Sequence, residues 1–176
     1  HIEVVKYLIK QCHANVEARD NNGKTPLHIF SYKGKIEVVK YLIEECHANV
    51  EARDNDGKTP LHIFSYRDHI EAVKYLIEEC HANVEARDNG GKTPLHIFSY
   101  KAHIEAVKYL IDQCNANVDV KDNNGNTPLH IFSYKAHIEV VKYLIKQCHA
   151  NVEAKNNGGK TPLHILSEKG KIEVVK

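Results

Sequence analysis

The tetrapeptide Thr-Pro-Leu-His begins at residues 25, 59, 93, 127 and 161, always 34 residues after the previous copy. A fixed period of that size restricts the chain to an array of small units stacked on their neighbours. A unit this short cannot enclose a core of its own, so it has to share its apolar surface with the next one. Four full units follow, 20–53, 54–87, 88–121 and 122–155, flanked by partial units at 1–19 and 156–176. The chain reads as a single array and as a fragment of a longer protein.

Within the first full unit, Asp20-Asn21-Asn22-Gly23 has the composition of a turn. Thr25 and Pro26 then mark a helix start. A threonine oxygen caps free backbone N–H groups, and proline at the first helical position gives up an N–H that has no partner there. The pattern predicts a first helix over 26–33, stopped by Gly34, and a second over 36–46. In the second, Ile36, Val39, Leu42, Ile43 and Cys46 share one face, with Glu37, Lys40 and Glu44 opposite. The segment 48–54 alternates, with Val50 and Ala52 apolar, and predicts an extended return to the next turn.

Charge is balanced, with 24 basic against 23 acidic residues, which gives no overall attraction to nucleic acid. No apolar run approaches the roughly 18 residues of a membrane-spanning helix, and no signal segment opens the chain. Cysteines come one per repeat, at 12, 46, 80, 114 and 148. Disulfides between equivalent cysteines would need Cα atoms under about 7 Å apart, closer than stacked helix pairs bring them. They are therefore expected to be buried or half-buried thiols in a reducing, cytoplasmic setting.

The residues Asp54, Gly57, Thr59–His62, His69, Glu71, Val73, Leu76, Ile77, Ala82 and Val84 together resemble the ankyrin repeat, and five copies in one phase extend the resemblance over the whole chain. It implies an all-α solenoid of stacked helix-turn-helix units joined by β-hairpin-like turns. It also implies a non-enzymatic protein-interaction scaffold. The sequence departs from the family pattern in three ways. The period is 34 rather than 33, and Cys46-His47 stands where relatives have one glycine. Phe30 and Ser31 replace two alanines. The glycine after the first helix, kept at Gly34 and Gly170, becomes Asp68, Ala102 and Ala136. A left-handed backbone at those three would cost on the order of 1 kcal/mol each.

The repeated histidines His28, His62, His96, His130 and His164 could suggest a ladder of metal ions. Packed helices lie roughly 8–10 Å apart, whereas zinc needs ligands at about 2 Å. The resemblance implies instead that each histidine bonds the backbone of adjoining turns, a structural role shared with Thr25 and Pro26. The pairs Cys12-His13, Cys46-His47, Cys80-His81 and Cys148-His149 have no zinc-ligand spacing. Thiol or metal chemistry is therefore the weaker alternative, and no cofactor is expected.

In proteins that look like this, turn tips and the outer end of the first helix form the concave partner-binding face. The residues at those positions are Lys24, Tyr32, Lys33, Lys58, Tyr66, Arg67, Lys92, Tyr100, Lys101, Tyr134 and Lys135. Tyrosine and arginine often anchor interfaces, and the excess of cations favours an acidic or phosphorylated protein segment bound by a monomer. Tyr41, Tyr75, Tyr109 and Tyr143, on the second helices, are placed on the outer side and given no function. Relatives hydroxylated on asparagine carry it where Glu51, Glu85, Asp119 and Glu153 stand here, so that modification is not expected at those positions. The near-identity of the units leaves a structural spacer, with no specific partner, as a second reading.

Overall fold

A computed structural model describes residues 2–98 and 104–168. The chain divides into two compact units, His1–Asn83 and Val84–Lys176. The first contains α1 (Ile2–Lys10), α2 (Pro26–Tyr32), α3 (Ile36–Glu44), α4 (Pro60–Arg67) and α5 (Ile70–Glu78). The second contains α6 (Pro94–Phe98), α7 (Ile104–Lys108), α8 (Pro128–Lys135), α9 (Ile138–Lys146) and α10 (Pro162–Glu168). A π-helical turn, Tyr109–Gln113, continues α7. No strand occurs among the described residues.

The first helix of a repeat starts on a reciprocal cap. The Thr25 side chain accepts from the His28 backbone N–H, while the His28 side chain accepts from the Thr25 N–H, and Pro26 follows at the first helical position. The same cap opens α4 with Thr59 and His62, and α8 with Thr127 and His130. The helix closes with two backbone bonds, Lys35 N–H to Phe30 O at 3.0 Å and Gly34 N–H to Ser31 O at 3.1 Å. This closure requires a left-handed residue, which Gly34 adopts freely and Asp68 and Ala136 adopt at φ 62° and 58°. Ala102 lies outside the described residues. Ser31 and Ser65, fully buried, are satisfied by the carbonyls of Leu27 and Leu61 one turn back.

The second helices are nine residues long in α3, α5 and α9, rich in β-branched residues and too short to form alone. Packing holds them. Val39 and Leu42 of α3, and Val73 and Leu76 of α5, are at most 1% exposed. They lie in one core with Leu27, Leu61 and Phe64. In the second unit Phe98, Val107, Leu110, Leu129, Phe132 and Leu144 fill the same positions. The outermost copies are bare. Leu8 is 47% exposed and Leu163 is 63% exposed.

The thirty-fourth residue is taken up where the second helix ends. His47, His81 and His149 adopt φ of 53°, 54° and 53°, and Asn115 adopts 54° at the equivalent position. The Ala48 N–H then reaches back to Leu42 O at 2.9 Å, one residue further than a six-to-one closure spans, and Ala82 and Ala116 repeat the bond to Leu76 and Leu110. The expected extended return is replaced by a turn. Ala52 N–H bonds Asn49 O at 3.1 Å, and the Asn49 side chain accepts from Glu51 N–H at 2.9 Å. Alternation misled because Ala48 and Ala52, four residues apart, are the buried pair, while Val50 is half-exposed.

Exposed tyrosines and cations as candidate functional site

Each repeat's tip is a closed turn that places the residue before its threonine, a lysine except at Asn126. The Asp20 carboxylate accepts the N–H groups of Asn22 and Lys24 at 2.8 and 2.9 Å. The Lys24 N–H, above all, holds that carboxyl below the ordinary range. Asp54 does the same for Asp56 and Lys58, and Asp122 for Asn124 and Asn126. Side-chain amides tie successive tips together. Asn55 Nδ2 donates to Asn21 O, Asn123 Nδ2 to Asn89 O, and Asn157 Nδ2 to Asn123 O, each over 34 residues. The approach is close enough that a Cβ on Gly23 would lie 2.2 Å from Asn55 Oδ1.

The histidines join tip to helix across repeats. His28 Nδ1 accepts from the Thr25 N–H at 3.2 Å, which leaves Nε2 as the donor to Lys58 O at 3.0 Å. His96 donates to Asn126 O and His130 to Lys160 O in the same way. Burial pushes the pKa of His28, His96 and His130 down, so the neutral ring is the form this geometry uses. His62 has the same contact to its threonine, at 3.2 Å. His164 is exposed and keeps only the Thr161 contacts among the bonds that define the motif.

Tyr32, Tyr66 and Tyr134, at the ends of α2, α4 and α8, are 49%, 48% and 43% exposed. The Arg67 guanidinium lies 4.6 Å from the centre of the Tyr32 ring. Lys33 is exposed, and Lys24 lies half-exposed in its turn. Lys92 holds the same place in the second unit, and Lys135 sits 5.8 Å from the Tyr134 ring. Tyr100 and Lys101 lie outside the described residues. Two turn lysines already hold carboxylates of this chain: Lys58 pairs with Asp56 at 2.9 Å, and Lys160 pairs with Glu168 at 2.7 Å. The sequence reading had not singled out either acid. Glu168 was visible as the residue standing where the other repeats have tyrosine.

The second-helix tyrosines are not idle covers. Tyr75 OH donates to Glu44 at 2.9 Å, and Tyr143 OH donates to Asp112, each joining neighbouring second helices. Burial, then these acidic partners, push both phenols far up. Lys40 lies over the Tyr75 ring at 4.7 Å and Lys108 over Tyr143 at 5.6 Å. At Tyr41 the acid is missing, because Lys10 occupies that place, and the buried Tyr41 OH has no hydrogen-bond partner. Glu51 and Glu85 also bridge repeats, accepting the N–H of Asn83 and Asn117 at 2.8 Å.

The cysteines sit beside these tyrosines. Cys46, Cys80, Cys114 and Cys148 are half-buried, whereas Cys12 is exposed because no preceding repeat unit covers it in the described chain. Burial pushes the Cys80 and Cys148 thiols up, away from the reactive thiolate. Among the described residues no group of three or more His, Cys, Asp or Glu side chains could hold a metal ion. No helix among them is long and apolar enough to cross a membrane.

Helix pairs opened by a Thr-Pro-x-His cap and tied tip to tip define a stacked-repeat protein of the α class. The family model for ankyrin repeats matches residues 1–88, 32–122, 66–156 and 99–176. The chain belongs to the ankyrin repeat family, whose members generally mediate protein–protein interaction and are typically non-enzymatic. No curated protein matches it.

Proposed function

We propose that this array is a scaffold in which each unit binds an acidic protein segment at its turn tips and first-helix ends. One observation carries the reading: Tyr32, Tyr66 and Tyr134 remain 43–49% exposed while the histidine four residues before each is buried, with cations against the Tyr32 and Tyr134 rings. Large aromatic rings flanked by cations are the side chains that anchor interfaces. Their cost in ordering is low, because each is fixed at a helix end and the Tyr32 ring is already stacked by Arg67.

Binding of this kind is driven by charge complementarity at its rim, so it weakens as salt rises. The test is capture from a cytosolic extract by the chain and by a Tyr32→Ala, Tyr66→Ala, Tyr134→Ala variant, washed at low and high salt. A partner that is acidic, lost with the tyrosines and released by salt is the expected result. The same background proteins from both forms, with none depending on the tyrosines, would sink the reading and leave a spacer.

A further inference from the structure

Between α8 and α10 lies a groove of about 590 Å³ whose lining includes Asn126, His130, Tyr134, Lys135, Lys160 and Ile165. None of its lining residues is acidic. Two lysines, a tyrosine and the amides of Asn126 and Asn156, which bond each other at 2.9 Å, line this open space, a basic and polar lining suited to a carboxylate. His130 is spoken for, since its Nε2 donates to Lys160 O. The Lys160 ammonium already binds a carboxylate, because Glu168 places Oε1 at 2.7 Å and Oε2 at 3.0 Å from Nζ. Glu168 stands 34 residues after Tyr134, where the earlier repeats carry tyrosine. An acid of the chain itself thus sits at a ladder position and neutralises the lysine that lines the groove.

We propose that this groove takes a carboxylate side chain of an acidic partner segment, and that Glu168 is a built-in competitor that withholds Lys160 from it. The proposal rests on the acidic-segment reading above and adds its anchor and its brake. Both members of the Lys160–Glu168 pair are about half-exposed, at 43% and 56%. A pair that exposed is weak, worth about 0.2–1 kcal/mol, so an incoming carboxylate can displace it.

The probe is a labelled oligoglutamate peptide, read by fluorescence anisotropy at low salt. Glu168→Gln should tighten binding by about 1.4- to five-fold, the range that an exposed ion pair commands. Glu139→Gln removes the same charge from α9, where Glu139 pairs with Lys142, and should do less. In a Lys160→Ala background, Glu168→Gln should have no effect. Equal gains from Glu168→Gln and Glu139→Gln, or a gain that survives Lys160→Ala, would overturn the proposal. Oligoglutamate that binds neither the chain nor Glu168→Gln also overturns it. In that case tyrosine-dependent capture still decides the broader interaction reading by itself. Thermal melts of each variant confirm that the fold persists.

Discussion

Acidification should unfold this protein through its buried histidines. His28, His96 and His130 are at most 1% exposed, and each uses Nδ1 as an acceptor for a threonine N–H that cannot turn away. Protonation would aim one N–H at another and break the cap that starts the helix. Asp54 and Arg19 act on His28, Asp122, Arg87 and Lys92 on His96, and Lys121 and Asp122 on His130, but burial is the largest influence on all three.

The sign follows from the depressed folded pKa. Below about pH 6.5 the unfolded chain binds these protons and the folded chain does not. Stability is therefore fully present above the unfolded pKa, and it is lost as pH falls through it toward the folded value. Over a drop from pH 7.5 to 5.5 a histidine that stays neutral when folded forfeits up to about 1.4 kcal/mol, so three forfeit up to about 4 kcal/mol. Asp20 and Asp56, held low by their hydrogen bonds, titrate below this window. Urea unfolding at pH 7.5, 6.5 and 5.5 reads the effect as a falling midpoint. A midpoint that stays level or rises on acidification would refute the neutral-histidine cap.

Other outcomes follow from single positions. Lys10→Glu supplies the acceptor that Tyr41 OH lacks and should raise stability by about 1 kcal/mol, with Lys6 left over the ring; an unchanged melting temperature would count against the inter-helix tyrosine bond. Ala136→Gly relieves a left-handed alanine and should stabilise by about 0.5–1 kcal/mol. Gly34→Ala should do the reverse and more, because its Cβ would lie 2.5 Å from His69 Nε2. Leu129→Ala, at a site 1% exposed, should cost about 2–5 kcal/mol, and Leu163→Ala, at 63%, under about 1 kcal/mol; chemical denaturation of the pair decides whether burial, rather than sequence position, sets the cost.

Period, helix order and helix starts were legible in the letters, because they depend on local chemistry. Thr25-Pro26 caps whatever follows, and Leu42 repeats at 76, 110 and 144 in a helical face. The exposed tyrosines could be named the same way, since residues at the outer end of a short helix have few ways to be buried. What the tertiary structure decided lies between repeats, over separations of 30 to 34 residues. His28 meets Lys58, Tyr75 meets Glu44, and Asn55 meets Asn21 only once the units stack. The extended return failed for the same reason. Alternation pairs Val50 with Ala52 as the apolar positions, but in the turn at Asn49 it is Ala48 and Ala52 that are buried. Glu168 had the same carboxylate chemistry in the sequence as any surface acid. Its reach to Lys160 depends on a turn and a helix end meeting in space. A one-dimensional pattern encodes which surfaces are apolar, and contact between surfaces decides which polar atoms are left to act.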